Sequence, residues 1–252
     1  MLRLGLILHS YNQGQPRVPA GQPDGGMSIE PNVVALSFHC DAYLDHLVIV
    51  APDLTEGVAH VRDCLNLSMP EGGRHREMGT RNHLLRLGDA VFLEVIAADS
   101  EAPGPPRARW FGLSDPERVR GDWEAGRRLR GFVARTDDLD GALAAQGDLL
   151  GQAATMTRGA LSWRFGVRPD GAWPADGAAP HVMDWGHSGN PARTMPDFGA
   201  RLDALVLTHP DPDAARELHT ALGLAKPPEI VRGDGPRWTA RIMTPSGPRT
   251  LT

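Results

Sequence analysis

The pattern of apolar and polar positions becomes regular at Leu44. Residues 44–50 (LDHLVIV) are apolar and β-branched, as a buried strand is. Pro52-Asp53 ends the run. Asp53 stands where a helix cap belongs, with Glu56 at the capping-box spacing. Leu54, Val58, Val61 and Leu65 then recur at helical spacing. Residues 72–80 (GGRHREMGT) read as a loosely extended segment, residues 82–87 (NHLLRL) as a strand, Gly88-Asp89 as a hairpin turn and residues 90–97 (AVFLEVIA) as the returning strand. The predicted order is β-α-β-β-β.

A Pro- and Gly-containing connector over residues 99–121 carries Trp110 and Phe111, aromatics that call for a packing partner. A second unit follows, with a strand at 129–135, a helix at 137–150, and strands at 161–167 and 181–185 joined by a Gly/Pro/Ala link. A third start appears at Arg201, where the chain repeats itself. Leu44-Asp45-x-Leu47-Val48 returns as Leu202-Asp203-x-Leu205-Val206, and Pro52-Asp53 returns as Pro210-Asp211. Asp211-Pro212 is a cap followed by Pro at the first helical position. Residues 237–243 and 249–252 read as a terminal hairpin.

One βαβββ unit covers only one face of its sheet with a helix. Two units joined edge to edge make a curved, half-open barrel with a cleft. The expected fold is therefore α+β. Paired βαβββ modules one and two occupy residues 43–190, and a third βαβββ-like unit, residues 200–252, packs on the same domain. Residues 1–42, rich in Gly, Pro, Gln and Ser, are expected to be a poorly ordered leader, with Met27 as an alternative start.

Composition narrows the function. Acids and bases are mixed along the 252 residues, and the formal net charge is −5, so no nucleic-acid surface is expected. The compact basic cluster Arg127, Arg128 and Arg130 reads as a solvated element end. No apolar run is long enough to span a membrane. The two cysteines, Cys40 and Cys64, form no CxxC or zinc spacing, which suits a reducing cytoplasm, and Cys64 reads as a small core residue. There is no GxSxG, no Walker loop, no GxGxxG after a strand and no HExxH, so nucleophilic Ser or Cys catalysis has no local support.

Asp45-His46, Gly72-Gly73, His75, Gly79-Thr80, Asn82 and Leu93-Glu94 follow one another in order through residues 44–100. PHVMDWG, residues 180–186, adds a second strand motif. Together they resemble the glyoxalase-like domain family of the vicinal oxygen chelate (glyoxalase/bleomycin resistance/dioxygenase) superfamily. The resemblance implies paired βαβββ modules. In the superfamily's metal enzymes it also implies a His on the first strand and a Glu on the fourth holding a divalent ion, which grips two neighbouring substrate oxygens. Members include lyases, isomerases, ring-cleaving dioxygenases and metal-free drug-binding proteins.

On this reading His46 and Glu94 are candidate ligands of a divalent metal ion of unspecified identity, since a mixed N/O donor set does not select one metal. Glu94 and His75 are the candidate catalytic acid-base groups. Thr80, Asn82 and Trp185 are candidates for substrate binding. Strand alternation puts Phe92, Glu94 and Ile96 on one face, apolar apart from the acid. Bland readings compete: a lone strand His is often a core residue, and the glycines around His75 can simply serve a turn. The second half is incomplete. His46 is matched by Ala204 in the third unit and falls near Gly131 in the second, and Glu94 finds only Asp184 as an equivalent, with His181 and His187 in reserve. The expectation is a small-molecule lyase, isomerase or related enzyme, with or without a metal. The alternative is a metal-free protein that binds or sequesters a small molecule. Neither nucleic acid nor membrane is expected as a partner, and a homodimer is compatible with the modular sheet.

Overall fold

A computed structural model describes residues 41–252. The expected leader, with Met27 and Cys40, lies outside the described residues apart from Asp41 and Ala42.

The first module runs β1 (Tyr43–Val50), α1 (Leu54–Leu65), β2 (Glu71–His75), β3 (Thr80–Arg86) and β4 (Phe92–Ala98). Asp53 caps α1 by accepting from the Glu56 amide at 2.9 Å. The connector contains a short 3-10 turn, Trp110–Gly112, and a helix, α2 (Pro116–Glu124), that its polar composition concealed. Only one narrow side of α2, with Val119 and Trp123, is buried apolar surface. The second module runs β5 (Leu129–Arg135), α3 (Leu139–Leu150), β6 (Gln152–Arg158), β7 (Leu161–Val167) and β8 (His181–Asp184). The sequence pattern did not mark β6, because Met156 is its sole buried residue.

These eight strands form one sheet in the order β2-β3-β4-β1-β5-β8-β7-β6. Within module one β1 runs parallel to β4, and the modules join through the antiparallel pair β1–β5. The sheet edges, β2 and β6, come round to face each other, and Thr157 on β6 donates to Glu77 beside β2 at 2.8 Å. The result is a nearly closed barrel with an unsealed seam.

Alternation sorts the core into two. Val48, Val50, Phe92, Ile96 and Phe165 face inward, where Trp110 and Phe111 find the packing partner they need. Leu47, Ile49, Leu93, Val95 and Phe132 face outward. The outer set shares a cluster with Leu207, Trp238, Ile242 and Leu251 of the third unit. That unit runs β9 (Arg201–His209), α4 (Pro212–Ala221), β10 (Glu229–Arg232), β11 (Arg237–Thr244) and β12 (Gly247–Leu251). It repeats the β-α-β-β-β element order, but its strand order is β10-β9-β11-β12, with β9 inside the sheet. In module one the first strand instead pairs with the last.

The Arg127–Arg130 cluster is not a solvated end. Arg130 is buried between Asp122 and Asp176, at 3.4 and 3.6 Å, and Arg128 lies over the Trp123 ring at 5.0 Å. Among the described residues no helix is long and apolar enough to cross a membrane.

Candidate functional site

The site begins with an irregularity in β1. Leu44 pairs with Ala134 and His46 with Val133, so Asp45 is an extra residue without a partner on β5. A bulge of this kind re-aims side chains, and here the Asp45 carboxylate reaches its own neighbour. Asp45 Oδ1 lies 2.7 Å from His46 Nδ1. Its other oxygen accepts from Trp185 Nε1 at 2.8 Å and Asn190 Nδ2 at 2.6 Å. Asp45 is wholly buried, and these partners make that tolerable.

Held at Nδ1, the His46 ring stacks on Phe92 at 4.5 Å and turns Nε2 toward Glu94 Oε2 at 3.4 Å. Glu94 comes from β4, two residues beyond Phe92, the residue paired with His46. Its other oxygen accepts from Asn82 Nδ2 at 2.5 Å, and Asn82 Oδ1 in turn accepts from the Gly73 amide at 2.9 Å. A continuous chain thus runs from Asp45 through His46, Glu94 and Asn82 to the backbone of β2.

Burial alone would strip the proton from His46, but the carboxylates of Asp45 and Glu94 prevail and raise its pKa to about 9. Burial alone would likewise protonate Glu94, yet His46 above all holds it down at about 2. The pair is therefore an imidazolium facing a carboxylate at neutral pH.

His75, at the end of β2, is buried beside the pair, edge-on to Trp110 and Trp163 at 5.0 and 6.0 Å. Desolvation lowers its pKa to about 4, so it is neutral. Thr80 lies behind it: its hydroxyl is 3.1 Å from His75 Nδ1 and accepts from Trp110 Nε1 at 3.2 Å. Asn82, Trp185, His46, His75 and Glu94 all line one pocket, together with Phe92, Trp163 and Arg158; Thr80 does not reach it. The unfilled space in this pocket is small, about 30 Å³. Sequence reasoning brought His46, Glu94, Asn82 and His75 together. It gave no role to Asp45, because alternation sends it to the opposite face from His46, and none to Arg158, which sits on the unmarked β6.

The second half of the barrel is closed to equivalent chemistry. In β1 and β5 aligned end to end, Val48 corresponds to Val133. Val48 pairs with Glu94 and Val133 pairs with His181. His181, not Asp184, therefore stands where Glu94 stands; Asp184 instead accepts from the Gly186 amide at 2.7 Å. His181 is buried in a box of Phe111, Phe165 and Trp173, with ring centroids 5.0–5.3 Å away. Among the described residues neither of its nitrogens makes a well-formed hydrogen bond; the Gly166 backbone only partly offsets a desolvation that lowers its pKa to about 3. At Gly131, the position matching His46, any Cβ would lie 2.7 Å from the Trp173 ring. Trp173 fills that place. His187 is exposed in the turn Gly186–Ser188.

Among the described residues no three His, Cys, Asp or Glu side chains gather where they could hold a metal ion. His46 and Glu94 offer two donors, short of the three protein ligands usual in a catalytic divalent site. Among the described residues these two donors do not by themselves make up such a set. A larger cavity of about 410 Å³ opens where Val50, Trp173 and Arg130 meet. Its two arginines are both paired within it, Arg130 with Asp122 and Arg118 with Asp176, and Phe111 stands between it and the pocket of the His46–Glu94 pair.

The family model described as "Glyoxalase-like domain" matches residues 44–223. Comparison with curated proteins finds no match. Among solved structures, a hypothetical protein from Staphylococcus aureus is 10% identical, with a TM-score of 0.50 over 78% of this chain and 88% of that one. Methylmalonyl-CoA epimerase of Streptomyces coelicolor, in complex with 2-nitronate-propionyl-CoA, is 16% identical, with a TM-score of 0.37 over 58% of this chain and 99% of that one. The methylmalonyl-CoA epimerase of Mycobacterium tuberculosis is 20% identical, with a TM-score of 0.33 over 56% and 85%. At these identities the likeness extends to the fold alone. With its family model spanning most of the chain, residues 44–223, the chain belongs to the glyoxalase-like domain family.

Proposed function

We propose that this protein is a small-molecule enzyme of the isomerase or lyase kind that moves a proton on an oxygenated substrate, with Glu94 as base and His46 as its charged partner. The observation that carries this reading is the ionised His46–Glu94 pair, buried in a pocket walled by Phe92, Trp163 and Trp185. Buried ionisable pairs with strongly displaced pKa values concentrate at functional sites.

At rest Glu94 is a weak base because His46 stabilises its charge. A substrate carbonyl or enolate oxygen that takes over the Nε2–H of His46 removes that support. The burial that remains then raises the proton affinity of Glu94, which readies it to take a proton from the carbon beside that oxygen. His46, held by Asp45, keeps its positive charge against the oxygen where negative charge gathers. Asn82 fixes the second Glu94 oxygen so that only one faces the reaction.

The test is solvent deuterium exchange into small 2-oxo and 2-hydroxy acids followed by NMR. Wild-type protein is expected to exchange the proton next to the carbonyl of at least one compound, and Glu94→Gln to lose this by 100-fold or more, on the order general-base catalysis supplies. The competing reading is a metal-free binding protein, favoured by a pocket whose polar groups already satisfy one another. Compounds that raise the melting temperature of wild type without any exchange establish that reading and overturn this one.

A further inference from the structure

The barrel seam carries a cation that the His46–Glu94 chain does not use. Arg158 is the last residue of β6. With Ala154 and Met156 it lies on the inner face of that strand. Its side chain crosses toward β2, where Gly73 leaves the space it needs: a Cβ on Gly73 would stand 2.8 Å from Arg158 Cδ. The guanidinium is half-buried at the wall of the same pocket. Among the described residues no carboxylate lies within ion-pair distance of it, unlike Arg74, Arg86, Arg120 and Arg164, which all have one. Among the described residues its one side-chain hydrogen bond is a long contact, 3.5 Å, to Asn82 Oδ1. That oxygen already accepts from Gly73, and the same Asn82 donates to Glu94.

A planar fork of donors left open beside an aromatic-walled pocket is suited to a carboxylate, which such a fork grips in two parallel hydrogen bonds. The small space in this pocket favours a compact molecule. A single side chain, Asn82, separates the cation from the base, so an anion on Arg158 sits next to Glu94. We infer that Arg158 is the anchor for a substrate carboxylate, and that the substrates are short oxygenated carboxylic acids bound with the acid at the seam and the neighbouring carbon at the His46–Glu94 pair. The inference rests on the function proposed above and supplies its substrate class.

The test uses pyruvate, glycolate and oxalate against the neutral pyruvamide and glycolamide, with the quenching of pocket tryptophan fluorescence as readout. Wild type is expected to bind at least one of the anions tenfold or more tighter than the neutral compounds. Arg158→Gln should lose this preference while binding the neutral compounds as before, and Arg158→Lys should keep part of it. Equal affinity for acids and amides in wild type overturns the inference. So does an unchanged preference in Arg158→Gln with an unchanged melting temperature, or no binding of any acid up to tens of millimolar. The Glu94→Gln arm separates the two readings. If it abolishes deuterium exchange while Arg158→Gln leaves acid preference intact, only the anchor fails. If Arg158→Gln removes the preference while Glu94→Gln exchanges normally, the anchor stands and the acid-base reading fails.

Discussion

His46 keeps its proton in the barrel interior only because two carboxylates hold it, one at each ring nitrogen. Asp45 is the less obvious of the two, and its influence is separable. Asp45→Asn preserves shape while removing one charge within 3 Å, and an opposite charge at such range moves a pKa by about 1–3 units. The His46 titration is therefore expected to fall by at least about one unit in that variant, read by NMR of the imidazole; an unmoved titration would assign the shift to Glu94 alone. His46→Ala leaves Asp45 and Glu94 buried without their shared partner. Breaking a buried pair from one side costs about 3–5 kcal/mol, to be seen in urea unfolding, and Glu94→Gln, which keeps the hydrogen-bonding shape, is expected to cost less.

At the level of strands and helices, the two modules share a plan but differ in what occupies their inner faces. Module one presents His46 and Glu94; module two presents Gly131 and His181, with Trp173 and Phe111 packed into the room. Gly131→Ala forces Trp173 aside, and overpacking of this sort costs about 1–3 kcal/mol, measurable as a lower melting temperature. A neutral or stabilising result would show that Trp173 does not fill that place. β1 and β4, which carry His46 and Glu94, were legible in the sequence because both are nearly continuous apolar runs: alternation in AVFLEVIA placed Phe92, Glu94 and Ile96 together, and the structure turns them inward. What was not legible follows from weak patterning or broken period. β6 exposes Gln152, Ala153, Thr155 and Thr157, so its inward residues, Arg158 included, left no trace. A bulge defeats any period-2 argument, which is why Asp45 was unassigned while its neighbour His46 was found. The register of β8 likewise depends on a loop the pattern could not count across, hence His181 rather than Asp184 opposite the second module's first strand.

For the molecule as a whole, the third unit backs the outer face of the barrel. Trp238 on β11 packs edge-on to Phe132 of β5 at 5.4 Å and donates to the Gly177 carbonyl at 2.8 Å. Trp238→Ala is expected to cost about 3–5 kcal/mol and to lower the unfolding midpoint of the whole described fold in one transition. A separate early transition would show that the four-stranded sheet unfolds by itself. Global stability also carries the signature of the site. The raised pKa of His46 contributes stability that is full below about 6.5 and fades as pH rises toward about 9. The lowered pKa of Glu94 contributes stability that is full above 4.5 and fades as pH falls toward about 2. The two together place a plateau near pH 4.5–6.5. The His46→Gln, Glu94→Gln double variant is expected to lose both shoulders of the curve, and parallel curves for variant and wild type would contradict the assignment.

All of this turns on the ionised pair at the centre of module one. The most direct measurement is the pH titration of the His46 imidazole by NMR in the ligand-free, chelator-treated protein. The account predicts an imidazolium that stays protonated through neutral pH and titrates near 9, with the Glu94 carboxylate titrating near 2. A His46 that titrates at or below the ordinary histidine value, or a Glu94 that is protonated at neutral pH, would contradict it.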